Sequence, residues 1–388
     1  MSEESPSPAL SHLTPEQVQT LMYRYYAGEH VTSLLGEFEI QCAPSALCRQ
    51  FPPEQVGIDC PACAAPLIKR RGSRSSFPQS QRSTVRCSSC MHIEREGCSC
   101  PSCRAKRANE AATLRQRQRD SVAEFCAANW HYEITQIEPE HLSAEAAVAL
   151  LSLIRCGGWM NSATIGSLGA SPVPYTPHDT CITEYLLGIL INNTLIAPSL
   201  DSAPDAFTLV PGRPPHWDWR KVCWSLLLPS APDFVKRLEL LAANKAWPEG
   251  WHEGAHGLWK QLAMAECREY CTYAVMTRNL PMPSSTALTT LLDNLLRDHS
   301  VSQCYQLIWN AATRAVDYMV RGNLRPQHAA NALIGNCQRY ADKARAEKWE
   351  VKGFKRNFHL PRSQLSYVLH DVVFKHGEVG FCSFIAVT

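Results

Sequence analysis

Apolar residues recur at helical spacing in the first fifty positions and predict a small helical unit. Thr14 is a favourable N-cap, Pro15 follows at the first helical position, and Gln17 occupies the capping-box position. The apolar stripe consists of Val18, Leu21, Met22 and Tyr25. We therefore predict a first helix that begins at Pro15 and ends before Gly28, a residue type that commonly follows a helix.

Two shorter helices are predicted next, over about residues 29–37 and 44–50, because Phe51 precedes two prolines and ends the second one. Residues 13–56 thus have the pattern of a helix-turn-helix, whose last helix would enter the major groove of DNA. The outward polar side chains able to bond base edges or phosphates are Gln41, Ser45, Arg49 and Gln50. The alternative is a small helical packing unit that binds no DNA.

The remainder of the chain, from about residue 130, is predicted to be mostly helical, so the fold class is mainly α. Residues 130–230 have the pattern of a winged helix, and a generic helical domain is an equal alternative. Residues 231–388 are predicted to form a helical C-terminal domain. The winged-helix interpretation places helices at 144–155, 161–168 and 179–192 and strands at 195–197 and 206–210. The C-terminal helices are expected at 284–298, 301–321, 326–349 and 361–374.

Composition narrows the compartment and the class of protein. An apolar fraction of 45% with 19% charged residues is that of a globular protein. The Ser/Pro/Glu-rich residues 1–12 are predicted to be a disordered tail that lacks the features of a signal peptide. The longest apolar run, residues 185–191, is too short to span a bilayer. We therefore expect a cytoplasmic protein with no membrane partner, whose 18 cysteines are metal ligands and buried thiols.

Seven of those cysteines fall between Cys60 and Cys103. The pairs Cys60/Cys63 and Cys87/Cys90 have the CxxC spacing of a four-thiolate zinc site. A second tetrahedral set is predicted for His92, Cys98, Cys100 and Cys103. The alternative is that His92 is an exposed polar residue and these cysteines complete another arrangement. We expect Zn²⁺ as the cofactor, one ion at the first site and a second ion at the other.

Charge is concentrated in the same part of the chain. Residues 69–119 hold 13 lysines and arginines against three glutamates, a net charge of +10, whereas the remaining residues carry −8. A field of this size attracts polyanions, and residues 57–125 are therefore predicted to be a zinc-binding, basic segment with a helix over about 104–119. The loop cations expected to contact phosphates are Lys69, Arg70, Arg71 and Arg74. The alternative is a solvated linker surface.

Residues 14–103 resemble bacterial DNA-binding proteins in which a helix-turn-helix, as in transposase- and resolvase-type modules, precedes a zinc ribbon. The resemblance is one of module type. It is carried by residues 21–51 and by the Cys60-Pro-Ala-Cys63 and Cys87-Ser-Ser-Cys90 knuckles, and it covers about a quarter of the chain. Zinc ribbons commonly have glycine after the second knuckle, where this chain has Met91. The resemblance implies docking to nucleic acid or protein.

One motif points to catalysis. His252, Glu253 and His256 match HExxH, in which two histidines bind zinc and the glutamate is a general base. Glycines in and beside the motif disfavour the helix that it needs, and neighbouring tryptophans indicate a loop-to-helix packing cluster. A third ligand would have to be Glu266 or Glu269. We therefore predict that the protein is not an enzyme, with a metallohydrolase as the least favoured alternative.

Taken together, these features predict a zinc-containing DNA-binding protein. It would act as a transcriptional regulator or as the DNA-targeting subunit of a larger bacterial system of the mobile-element or defence type. Duplex DNA is the expected partner, with a protein partner or a second copy of the chain in addition. The alternative function is a zinc-dependent protein-interaction scaffold or an RNA-binding subunit.

Overall fold

The computed structural model describes residues 7–76, 85–94, 97–178, 180–209, 215–244, 247–323 and 325–383. Helices provide most of the regular structure, and the predicted mainly α fold class is confirmed. The chain divides into two compact units, an N-terminal unit that ends at Arg117 and a C-terminal unit that begins at Gln118. No helix among the described residues combines the length and the apolar character needed to cross a membrane.

The N-terminal unit contains the predicted first helix. Helix α1 spans Pro15–Tyr26, and the capping box at its start is formed as expected. Thr14 Oγ1 accepts the Gln17 N–H at 3.3 Å, and Gln17 Oε1 accepts the Thr14 N–H at 2.8 Å. These two bonds satisfy amide groups that a helix end leaves without partners. Helix α2 spans Val31–Glu37 and places Leu34 in the core beneath α1.

The structure places part of the predicted tail inside this core. Pro8–Leu10 form a 3₁₀ turn, and the Leu10 side chain is fully buried with Leu21 and Leu34. Residues 1–6 lie outside the described residues. The expected disordered tail over 1–12 therefore does not extend to Leu10, because an apolar side chain at that position completes a small core.

The third helical segment covers the expected residues, but its first turn is a 3₁₀ turn. A 3₁₀ turn over Pro44–Ala46 leads into α3, Leu47–Gln50, and Phe51 is already extended. Together they span seven residues, about two helical turns. The three helical segments expected for residues 13–56 are present, and the helix-turn-helix assignment stays a prediction.

A three-stranded antiparallel sheet follows directly. It consists of β1, Glu54–Asp59, β2, Pro66–Lys69, and β3, Arg86–Cys87, in that order. Hydrogen bonds join the sheet segment to the helical segment, since the Tyr26 hydroxyl donates to Gly72 O at 2.8 Å and Arg71 Nε donates to Pro52 O at 3.0 Å. The helical and cysteine-rich segments, which were predicted as separate domains, thus belong to one compact unit.

Helix α4, Pro101–Asn129, begins in the N-terminal unit and ends in the C-terminal unit. No side chain from Arg104 to Ser121 is buried, and the first buried positions are Val122 and Cys126. Because tertiary packing cannot hold this exposed part, its stability comes from strong helix formers and from its two ends. The predicted basic helix is therefore present and is longer than expected at both ends.

The C-terminal unit has a single hydrophobic core that extends along the chain from Val122 to Phe381. Residues 130–230 and 231–388 both contribute to it, so the structure does not separate them into the two domains that were predicted. The principal helices of this core are α5 Ala144–Gly157, α6 Thr180–Asn192, α7 Ala231–Ala243, α8 Trp251–Met276, α9 Ser285–Leu295, α10 Val301–Gly322 and α11 Pro326–Ala346.

The winged-helix pattern differs from the structure at its second helix. The segment expected to be helical over 161–168 instead forms a hairpin of β4, Trp159–Asn161, and β5, Thr164–Ile165. Two glycines explain the difference. Gly158 has a φ of +67° and ends α5, and a Cβ at Gly157 would overlap Gly166 O, so the hairpin approaches the helix end closely.

These strands join a four-stranded sheet in the order β4-β5-β9-β6. Strand β6, Ile196–Pro198, was expected, whereas β9, Trp224–Leu226, was not. Strand β7, Phe207–Thr208, pairs with β8, His216–Trp217, and not with β6 as a wing would require. Trp224 in β9 is fully buried and anchors the sheet to the core.

The C-terminal helices lie where the periodicity predicts them, and the last one ends irregularly. Helix α12, Gln364–Tyr367, continues as a π-helix over Val368–Val373, and α13, Val379–Cys382, follows. A buried ion pair joins this region to α8, since Arg356 Nη1 lies 2.7 Å from Glu266 Oε1. Arg362 pairs with Asp371 at 2.7 Å within the same region.

Candidate metal centres

The first group of metal-binding side chains lies at the end of the N-terminal sheet. Cys60 and Cys63 follow β1, and Cys87 and Cys90 form the turn at the end of β3. Their four sulfur atoms lie within 4.8 Å of one another. The Sγ–Sγ distances are 3.7 Å for Cys60 and Cys90 and 3.3 Å for Cys63 and Cys87. A tetrahedral zinc ion with bonds of ~2.3 Å would hold sulfurs ~3.8 Å apart, so the site fits that ion.

Both CxxC turns have the same backbone conformation. The residue after each second cysteine is in the left-handed region, with φ of +57° at Ala64 and +59° at Met91. In the first turn the Ala62 N–H donates to Cys60 Sγ at 3.4 Å, and in the second the Ser89 N–H donates to Cys87 Sγ at 3.3 Å. The absence of glycine at position 91 therefore does not change the turn geometry, although it adds strain.

The second group assembles around His92. Its Nδ1 atom lies 3.6 Å from Cys98 Sγ, 3.7 Å from Cys100 Sγ and 3.3 Å from Cys103 Sγ. A tetrahedral zinc with three sulfur ligands and one nitrogen ligand requires N–S separations of ~3.6 Å. The His92 carbonyl accepts the Cys87 N–H at 2.8 Å, which fixes the backbone between the two groups. The predicted ligand set, including His92, thus comes together in the structure.

In the second group, the pKa values of the Cys98 and Cys103 thiols are shifted in opposite directions. The N–H groups of Cys100 and Ile93 donate to Cys98 and lower its pKa to about 6. The Cys100 thiol is the main cause that raises the pKa of Cys103 to about 11, and burial adds to it. Closely spaced thiolates repel one another, whereas a divalent cation among them would stabilise all the anionic forms together. The donor chemistry therefore fits a bound metal ion.

Each group supplies four ligand atoms, and this number limits the chemical role of a bound ion. Four protein atoms would fill a tetrahedral shell and leave no position for water or substrate. Such a centre acts structurally, by crosslinking chain segments. Thiolate-rich, tetrahedral donor sets favour zinc over hard cations such as Mg²⁺.

The second group also contains the start of α4, a link that the spacing of the cysteines did not indicate. Cys103 lies in the first turn of the helix. The Cys103 N–H donates to Cys100 Sγ at 3.4 Å, and the Arg104 N–H donates to Cys100 O at 3.0 Å. Arg107 Nη2 donates to Cys98 O at 2.5 Å. The metal ligands and the first turn of the basic helix are therefore one structural element.

The predicted DNA-reading residues of the helical part differ in exposure. Gln41, Ser45 and Arg49 are exposed. Gln50 is half-buried, and its Oε1 atom accepts a hydrogen bond from the Ser7 hydroxyl. Three of the four side chains can thus reach a ligand, whereas Gln50 contributes to packing.

The four predicted loop cations also differ in their exposure and in their contacts. Arg70 is exposed, and Lys69 is half-buried at the end of β2. Arg74 stacks 5.3 Å from the centre of the Tyr25 ring and donates to Glu29 O at 2.5 Å. Arg71 bonds to a backbone carbonyl as described above. Two of the four arginine and lysine side chains therefore connect the sheet segment to the helices, a role that the sequence did not reveal.

The HExxH motif lies in the first turns of α8, so the glycines do not prevent the helix. The His252 ring packs 4.7 Å from the Trp247 ring, and the His256 ring packs 5.4 Å from the Phe374 ring. Of the two candidate third ligands, Glu266 pairs with Arg356, and Glu269 accepts the His178 N–H at 3.0 Å. Among the described residues, the motif belongs to no group of three or more metal-binding side chains.

Comparisons with known proteins identify no relative. No protein-family model, curated protein or solved structure matches the chain. Functional assignment therefore rests on the two metal-ligand groups and on the charge of residues 69–119.

Proposed function

We propose that the protein is a zinc-containing DNA-binding protein, acting as a regulator or as the DNA-targeting subunit of a larger bacterial system. One observation carries the proposal: residues 69–119, with a net charge of +10, contain every residue of the two metal-ligand groups except Cys60 and Cys63. In this assignment the metal ions shape the chain, and the surrounding cations attract the phosphate backbone.

Zinc is the proposed ion for both groups. Among the described residues from 54 to 94, only Cys60, Leu67, Ile68 and Cys87 are buried, too few to fold this segment by hydrophobic burial alone. Structural zinc in small modules contributes ~10–16 kcal/mol of apparent binding free energy, enough to offset the ordering of the chain. We propose one ion per group, two per chain.

Duplex DNA is the proposed partner because exposed cations are numerous within residues 69–119. Arg70 and the α4 residues Arg104, Lys106, Arg115 and Arg117 are all exposed. Attraction of this kind is strongest within a Debye length of ~8–10 Å. Gln41, Ser45 and Arg49 provide exposed side chains of the types that read base edges.

Two measurements on the full chain test the proposal. Metal analysis should give two zinc ions per chain, and fluorescence anisotropy should show binding to a labelled random duplex pool. The logarithm of affinity should fall with the logarithm of salt concentration by ~0.9 for every phosphate contacted. Fewer than one zinc per chain, or a duplex affinity that does not change with salt, would contradict the assignment.

Parallel titrations distinguish the alternative functions. Tighter binding to a single-stranded RNA pool than to duplex DNA would favour an RNA-binding subunit. A defined protein complex that survives nuclease treatment and high salt, without duplex binding by the isolated chain, would favour an interaction scaffold.

A further inference from the structure

The exposed part of helix α4 has two faces of different composition. Because successive residues turn by ~100°, positions separated by four, seven and eleven residues lie on one side of a helix. One face therefore contains Arg104, Ala108, Ala111 and Arg115, all of which are exposed. This set is called the arginine–alanine face. Two arginines stand at its ends, and small side chains separate them.

The opposite side presents two cations in a different setting. Lys106 and Arg117 are also eleven residues apart and lie about half a turn away from the arginine–alanine face. Glu110 lies between them on that side, and the Leu114 side chain, 58% exposed, lies beside it. An acidic residue and a bulky apolar side chain make this side less complementary to a phosphate backbone.

The two arginines of the arginine–alanine face are far enough apart to reach across a DNA groove. With a rise of ~1.5 Å per residue, Arg104 and Arg115 are ~16.5 Å apart along the helix axis. The major groove of B-DNA is ~12 Å wide and admits an α-helix. Ala108 and Ala111 would allow the helix backbone to approach the groove closely, and the two long side chains would reach phosphates on its two sides.

The second metal group fixes one end of this face. Arg104 directly follows the metal ligand Cys103, and its own N–H bonds to Cys100 O. At the other end, the Arg115 Nε–H donates to Ala111 O at 3.2 Å, which holds the side chain along the helix. The two arginines are therefore presented at a set separation, which lowers the entropic cost of contacting two phosphates at once.

We propose that the arginine–alanine face is the main surface that contacts duplex DNA, with Arg104 and Arg115 bound to phosphates on either side of the major groove. This inference rests on the proposed DNA-binding function and assigns its principal contact to α4. The occupant is a duplex, because the spacing of the cations spans a groove and their charge complements its two phosphate chains.

A matched pair of double variants tests the inference. Arg104→Gln with Arg115→Gln removes the cations of the arginine–alanine face, and Lys106→Gln with Arg117→Gln removes those of the opposite side. Both variants lose the same charge, and glutamine retains helix propensity. The first should lower the slope of log affinity against log salt by about two, whereas the second should lower it by much less.

Zinc content and far-ultraviolet circular dichroism, measured on each variant, establish that the fold is retained. Equal slopes for the two variants, with duplex binding by the wild type intact, would overturn the inference and leave the proposed function standing. Absence of duplex binding by the wild type would overturn both. A slope that falls equally on single-stranded and duplex pools would also contradict a groove-spanning contact.

Discussion

Met91 and Ala64 illustrate how a metal turn imposes a backbone conformation on residues that disfavour it. Both follow a CxxC pair, both have a positive φ near 58°, with 57° at Ala64 and 59° at Met91, and neither is glycine. A Cβ in the left-handed region costs roughly 1–2 kcal/mol. The turn persists because its N–H groups must point at the cysteine sulfurs for four ligands to converge.

Met91→Gly is therefore expected to stabilise the N-terminal unit by up to about 1 kcal/mol, because relief of strain exceeds the added flexibility of the unfolded chain. The Met91 side chain is 51% exposed, so little packing is lost. Zinc release to a chromogenic chelator during urea titration would measure the change. Met91→Ala keeps the Cβ and is the control. A glycine variant that releases zinc at lower urea than the alanine variant would contradict the explanation.

The roles of some individual side chains could be predicted from the sequence, and those of others could not. The sequence predicted the two groups of four side chains that come together in the structure, because the two CxxC pairs and the compact Cys98–Cys103 run leave few ways to form tetrahedra. Arg71 and Arg74 could not be assigned in the same way. Their charge suggests that they bind phosphate. Only the folded chain shows that Arg71 donates to the carbonyl of Pro52 and Arg74 to that of Glu29.

Among the elements, helix α4 depends most on its ends. Its exposed residues from Arg104 to Ser121 pack no side chain into a core. Forming the first turn of a helix is unfavourable and no core contacts offset that cost here, so a fixed starting point would stabilise this part of α4. The second metal group provides one, since Cys103 lies in that turn and Arg107 bonds to Cys98 O.

Loss of the second metal should therefore unravel the start of α4. Cys98→Ser with Cys103→Ser is expected to remove one zinc per chain and to abolish amide protection over residues 101–115 in hydrogen exchange. The comparison variant, Cys63→Ser with Cys90→Ser, removes ligands of the first group only. Protection of residues 101–115 should fall less in that variant. Equal protection in the wild type and in the Cys98/Cys103 variant would show that the helix needs no metal.

Helices whose sequence signals lie within the helix itself were predicted well. Strands that pair with residues far along the chain were not. The capping box at Thr14 and the apolar periodicity of α9, α10 and α11 are local, and they gave helices close to the observed bounds. The hairpin over 159–165 was interpreted as a helix. Its pairing partner, β9, lies about 60 residues later, and no nearby pattern indicates that contact.

For the whole molecule, composition distinguishes segments of the chain but does not show which segments share a hydrophobic core. The cysteines and basic residues of 57–125 suggested a separate domain, yet the preceding helices and the sheet form one unit that ends at Arg117. Likewise, residues 130–388 share one core although their patterns suggested two domains. Domain boundaries follow buried contacts, and those are not visible in charge or proline content.

The stability of the C-terminal unit should depend on pH through His370. This residue is buried in the π-helix, and burial, with Arg362, Arg356 and His376 nearby, lowers its pKa to about 3. Below pH ~6.5 the unfolded chain binds a proton that the folded unit does not, so stability falls as pH falls toward 3. The slope should approach ~1.4 kcal/mol per pH unit.

Tryptophan fluorescence can follow this unit alone, because all ten tryptophans lie after Gln118. Urea titrations between pH 7 and pH 5 should show the loss in the wild type and a flatter dependence in His370→Gln. Exposed His252→Gln is the control and should retain the wild-type slope. If the His370 variant and the wild type have the same dependence on pH, the histidine is not the determinant.

The position of β9 in its sheet has a consequence for synthesis on the ribosome. Strand β9 lies between the β4–β5 hairpin and β6, so the four-stranded sheet cannot close until residue 226 has been translated. Residues up to 117, by contrast, have all their metal ligands much earlier. At ~5–20 residues per second, the part with the candidate metal ligands has several seconds to fold before the later sheet can close. Folding of this chain is thus expected to be vectorial, with metal acquisition as its first step.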